Sequence, residues 1–133
     1  MASAAKTLFT GQAHTTGGRD GASRSKDGFV DIKLPQPHPA AENLFATAWS
    51  ACFIGAIEVA AGQKKVKLPQ TPAVDAQIDL KLGEGGYFLQ ARLDVTVPGV
   101  DPQTARTLVD MAHGICPYSK ATRGNIEVSL NVL

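Results

Sequence analysis

Apolar and polar residues alternate strictly from Val74 to Leu82, with Val74, Ala76, Ile78, Leu80 and Leu82 on one side and Asp75, Gln77, Asp79 and Lys81 on the other. That period of two is the signature of a strand with one buried face. It recurs at Leu89, Ala91, Leu93, Val95 and Val97, and the intervening Gly83-Glu84-Gly85-Gly86 accepts the positive φ of a hairpin turn. Ile126, Val128, Leu130 and Val132 repeat the pattern. Residues 6–14 and 28–34 read as shorter strands around the turn-like Gly17-Gly18-Arg19-Asp20-Gly21. The chain is predicted to be rich in antiparallel sheet.

Two stretches break this alternation. Residues 41–61 are apolar around most of a helical circumference (Leu44, Phe45, Trp49, Phe53, Ile54, Ile57 and Val59 among them), which predicts a helix buried on several sides. Its small residues Ala48, Ala51, Gly55 and Ala56 allow the close approach of a second helix, such as one from another copy of the chain. The second helix opens on Asp101-Pro102, a cap followed by proline at the first helical position, and runs through Ala105, Leu108, Val109, Ala112 and Ile115 until Pro117 stops it. Strands segregated from two helices predict an α+β fold in a single domain spanning residues 1–133. Pro35-Gln36-Pro37-His38-Pro39 reads as a stiff connector into the first helix.

Composition narrows the function classes. Thirteen basic and twelve acidic residues are scattered along 133 positions, so nothing draws the chain to nucleic acid or to an acidic membrane. The N-terminal residues lack the apolar core of a secretory signal, and no segment is expected to reach the ~20 apolar residues of a membrane span. The expected location is the cytoplasm. In that reducing compartment Cys52 and Cys116 are more readily a reactive couple than a permanent bridge. His14, His38 and His113 offer no metal-ligand spacing beyond His113-x-x-Cys116, which argues against zinc.

Each cysteine has a bland and a functional reading. Cys52 lies mid-helix among apolar residues, where a cysteine commonly packs as a small hydrophobe and burial raises its pKa unless a cation is near. Cys116 precedes Pro117 at a possible fresh helix start, where unpaired amides favour a thiolate; local sequence therefore nominates Cys116 as the attacking thiol. Arg19, framed by glycines, either stays solvated or delivers a guanidinium to a pocket. Glu42 sits in the first helical turn, where the helix dipole alone favours a carboxylate. Ten residues separate it from Cys52, about 15 Å of helical rise, so the two do not touch along one straight helix.

Several segments, in order, resemble the organic hydroperoxide resistance (Ohr) proteins of the Ohr/OsmC family. They are Gly17-Gly18-Arg19-Asp20-Gly21, the run from Glu42 through Leu44-Phe45-Ala46 and Cys52-Phe53-Ile54-Gly55-Ala56, Lys64-Lys65-Val66-Lys67-Leu68-Pro69, and Cys116-Pro117-Tyr118-Ser119 with Ala121-Thr122-Arg123-Gly124-Asn125-Ile126. The resemblance implies an OsmC-like fold, with antiparallel sheets packed around two central helices in an intertwined homodimer. It implies a thiol peroxidase acting on alkyl or fatty-acid hydroperoxides. Cys52 would be the attacking thiol, contrary to the local reading. Cys116 would condense with its sulfenic acid. Arg19 would stabilise the Cys52 thiolate, and Glu42 would orient Arg19. No cofactor is held in the domain; the implied reductant is external, a lipoyl dithiol such as dihydrolipoamide on a lipoylated protein. The connector from Leu34 to Glu42 is several residues shorter than the family's glycine-rich loop. The alternative from another class is a peroxide-responsive sensor or binding protein whose cysteines oxidise once without turnover.

Overall fold

The computed structural model describes residues 5–34 and 40–133, and of Arg19 the backbone alone. The proline-rich connector of residues 35–39 lies outside the described residues. The chain packs as two compact units, Met1–Ala41 and Glu42–Leu133. Among the described residues the architecture is mixed α+β, with two three-stranded sheets and three α-helices.

The first unit holds an antiparallel sheet of β1 (Ala13–Thr16), β2 (Ala22–Ser25) and β3 (Asp31–Lys33), in that order. Only Ala13 and His14 of the strand expected over residues 6–14 are in β1, and β2 went unforeseen. The sequence Ala-Ser-Arg-Ser carries no apolar alternation to announce it. Between β1 and β2 the glycines make a tight corner. Gly17 and Gly18 take φ of 81° and 70°, Gly18–Asp20 form a 3-10 turn, and a Cβ on Gly21 would lie 1.6 Å from the Thr16 carbonyl oxygen. Glycine is required there by geometry, and the corner fixes the backbone of Arg19.

The second unit is built on β4 (Ala73–Gly83) and β5 (Gly86–Thr96), an antiparallel hairpin in the expected place. Its register pairs Val74 with Val95, Ala76 with Leu93 and Ile78 with Ala91, so the apolar members of both strands share one face. β6 (Glu127–Val132) adds on the other side of β5, aligning Val128 with Ala91 and Leu130 with Leu93. It runs parallel to β5, which corrects the expectation of a wholly antiparallel sheet. Between them the chain crosses over through α2 (Pro102–Ile115) and the six-residue α3 (Pro117–Thr122), and such a crossover returns a strand in the same direction. The alternation identified the strand and its buried face, and carries no information on direction.

α1 (Ala41–Lys64) and α2 share one core with this sheet. Trp49, Phe53, Ala56, Ile57 and Ala60 of α1 meet Ala105, Leu108, Val109 and Ala112 of α2 and Ala91, Leu93 and Val95 of β5. The Asp101 carboxylate accepts from the Thr104 amide at 2.9 Å, the expected cap of α2. α1 is long and apolar enough, by length and composition, to cross a membrane, so the expectation that no segment approaches that length does not hold. Here it serves as the central helix of an α+β core.

Candidate active site

Cys52 and Cys116 come from elements far apart in sequence and meet with their sulfurs 3.0 Å apart. α1 carries Cys52 on the side bordering the core, one position before the buried Phe53. Cys116 occupies the single residue between α2 and α3, where its amide closes α2 on the Ala112 carbonyl and Pro117 begins α3. Both thiols are free. Their environments differ: Cys116 is fully buried, whereas Cys52 is partly exposed. A molecule arriving from solvent therefore meets Cys52 first.

Electrostatics add a second asymmetry. Burial first, and the neighbouring Cys116 thiol second, push the Cys52 pKa above the ordinary thiol range, while the Tyr118 backbone amide, hydrogen-bonded to Cys52, draws it down. Local sequence alone assigns the helix-start amides after Cys116 to Cys116 itself. One of them is directed at Cys52 instead. Its stabilisation is outweighed by burial, which leaves the Cys52 pKa raised; a positive charge nearby would favour the thiolate.

Arg19 is the expected source of that charge, and Glu42 is expected to orient it. Arg19 sits in the glycine corner of the first unit, and its side chain lies outside what the structure describes. Glu42 is in the first turn of α1, which continues unbroken through Cys52, so the expected separation along the helix holds and Glu42 does not meet the thiol directly.

A cleft of about 300 Å³ opens between α1 and α3, lined by Phe45 and Ala48 of α1 and Tyr118, Ala121 and Thr122 of α3; neither cysteine is among its lining residues. Its walls are almost wholly apolar, suited to an alkyl chain. Of the aromatic residues the sequence places near Cys52, Phe45 lines this cleft, whereas Trp49 and Phe53 are fully buried. Sequence reasoning did not foresee the pair behind it. The Trp49 indole Nε1–H donates to the Ser119 hydroxyl at 3.1 Å, both residues wholly buried. The one available signal was a tryptophan inside an apolar helix, whose indole N–H requires an acceptor when buried.

His113, three residues before Cys116, packs its ring 6.3 Å from that of Phe53. Burial, then the nearby Arg123 guanidinium, lower its pKa below the usual histidine value, against a weaker opposing pull from Asp110. Among the described residues no group of three or more His, Cys, Asp or Glu side chains is arranged to hold a metal ion.

Residues 34–131 match the family model described as OsmC-like protein. The chain is 43% identical over 141 residues, covering 99% of both proteins, to the organic hydroperoxide resistance protein of Xanthomonas axonopodis pv. citri. The chain belongs to the Ohr/OsmC family. Within it, the organic hydroperoxide resistance protein OhrB of Bacillus subtilis is 36% identical, and its crystal structure superposes with a TM-score of 0.87 over 96% of this chain and all of that one. An Ohr protein from Elizabethkingia anophelis, crystallised with thiocyanate bound, is 38% identical and also gives a TM-score of 0.87, over 96% of this chain and 98% of that one.

Proposed function

We propose that the chain is a thiol peroxidase that reduces organic hydroperoxides to alcohols. The observation that carries this reading is the sulfur pair 3.0 Å apart, with Cys52 open and Cys116 sealed. The Cys52 thiolate attacks the outer peroxide oxygen; the O–O bond breaks, the alcohol leaves with a proton, and Cys52 becomes a sulfenic acid. The Cys116 thiol then attacks the Cys52 sulfur, water leaves, and the disulfide forms. A disulfide needs sulfurs at about 2.05 Å, so the pair has about 1 Å to close.

Arg19 serves as the cation that ionises Cys52, and Glu42 pairs with Arg19 and orients it. The apolar cleft favours alkyl or fatty-acid hydroperoxides over hydrogen peroxide. The disulfide is returned to dithiol by an external lipoyl dithiol, dihydrolipoamide on a lipoylated protein, which leaves as the cyclic disulfide; the domain itself needs no bound cofactor. The working form is a homodimer in a reducing cytoplasm, where the pair starts as thiols. Support for a second copy comes from α1, whose Leu44, Phe45, Ala48, Ala51 and Val59 lie exposed along one side of a helix that is otherwise a core element.

Turnover tests the reading. With dihydrolipoamide the wild-type protein is expected to consume many equivalents of an alkyl hydroperoxide per subunit, and Cys52→Ser to consume none above background. A single equivalent per subunit indicates a peroxide sensor; wild-type rates in Cys52→Ser remove the proposed mechanism.

A further inference from the structure

Trp49 and Ser119 lie 70 positions apart in the chain, and their hydrogen bond joins α1 to α3. Each sits three residues, about one helical turn, from a cysteine: Trp49 precedes Cys52 on α1, and Ser119 follows Cys116 on α3. The bond therefore runs alongside the sulfur contact as a second cross-connection from α1 to the segment made of Cys116 and the α3 that follows it. Its surroundings hold it in place. Phe45 packs edge-on to the Trp49 ring at 5.8 Å, and the Thr122 hydroxyl donates to the Ser119 carbonyl at 3.1 Å within α3.

We propose that Trp49 and Ser119 are a positioning pair for the disulfide step, holding the start of α3 against α1 so that Cys116 stays within reach of Cys52 through oxidation and condensation. This rests on the peroxidase reading of the thiol pair. A six-residue helix has too few internal hydrogen bonds to keep its own place, so α3 depends on anchors to its neighbours. The indole N–H is a donor only, and Ser119 is its buried acceptor. Removing either partner frees the segment that carries Cys116. A competing reaction then gains. A second hydroperoxide transfers oxygen to the Cys52 sulfenic acid, giving a sulfinic acid and another molecule of alcohol, a product thiols do not reverse.

The test uses Trp49→Phe, Ser119→Ala and the double variant, with two readouts. In a glutathione buffer the Cys52/Cys116 dithiol exchanges with oxidised glutathione to give the protein disulfide and two reduced glutathiones, without any peroxidase activity. Each single variant is expected to lower that equilibrium constant about five- to thirtyfold, the range one buried hydrogen bond supplies, and the double variant to lower it no further than the worse single one. Under excess alkyl hydroperoxide, all three are expected to trap a larger share of Cys52 as sulfinic acid. If Ser119→Ala does not fold, Trp49→Phe, which keeps an aromatic ring and leaves the serine hydroxyl in place, carries the test. Equilibrium constants within about twofold of wild type, with only the melting temperature lowered, overturn the proposal and leave the bond a structural one. A wild-type protein that forms no Cys52–Cys116 disulfide removes the peroxidase reading instead.

Discussion

Cys52, the attacking thiol of the proposed mechanism, lies in an environment that opposes its ionisation. The elements of its own unit raise its pKa through burial, and one backbone amide, from Tyr118, partly offsets this. In the proposed mechanism, ionisation near neutral pH then depends on the Arg19 guanidinium. A thiol with a raised pKa is protonated at pH 7 and becomes reactive only as pH climbs through that value, so loss of the cation moves the rate profile toward alkaline pH. Arg19→Gln is expected to raise the pH midpoint of hydroperoxide reduction, and every pH unit of that movement costs about tenfold in thiolate at neutral pH. Stopped-flow rates from pH 5 to about pH 10 check this; an unchanged midpoint removes Arg19 from the role. At this scale the sequence was legible through motifs more than through local chemistry. The apolar context of Cys52 argued for inertness, and the proline after Cys116 argued for Cys116, the thiol that the fold buries, because the direction in which a helix-start amide points is settled by packing between α1 and α3. Trp49 and Ser119 escaped notice for the same reason: a bond across 70 residues leaves no local pattern.

Helices and strands were the most readable level wherever burial was one-sided. The hairpin of β4 and β5 and the Asp101 cap of α2 follow from alternation and capping chemistry. The parallel return of β6 and the polar β2 do not, since direction and short polar pairings are set by the connections around them. The turn leading into α2 is equally specific. Gly99 has φ of 82°, and a Cβ there would come within 2.3 Å of Pro69 Cγ. Gly99→Ala is therefore expected to destabilise the protein by at least about 1–2 kcal/mol from the left-handed backbone alone, with the clash against Pro69 in addition. Urea unfolding measures it; a loss of less than about half a kcal/mol would show that the turn relaxes freely.

At the scale of the whole molecule, apolar side chains of the hairpin and of α1 lie exposed among the described residues. On the hairpin, Leu80, Leu82, Tyr87 and Phe88 remain 44% to 77% exposed although the alternation places Leu80 and Leu82 on the inward face, and Leu44, Phe45 and Val59 are exposed along α1. Scattered exposed hydrophobes are ordinary, but rows on a core helix and on its sheet point to a partner surface. Sedimentation is expected to give a dimer at micromolar concentration, and Val59→Lys or Leu82→Lys to weaken it; a monomer with full turnover would contradict the dimeric working form. The chemistry of the pair remains the central claim, and its most direct measurement is mass spectrometry of the native protein after one equivalent of an alkyl hydroperoxide. The expected result is a Cys52–Cys116 linkage within one chain, replaced in Cys116→Ser by a sulfenic acid on Cys52. Oxidation confined to Cys116, or no reaction of either thiol, would contradict it.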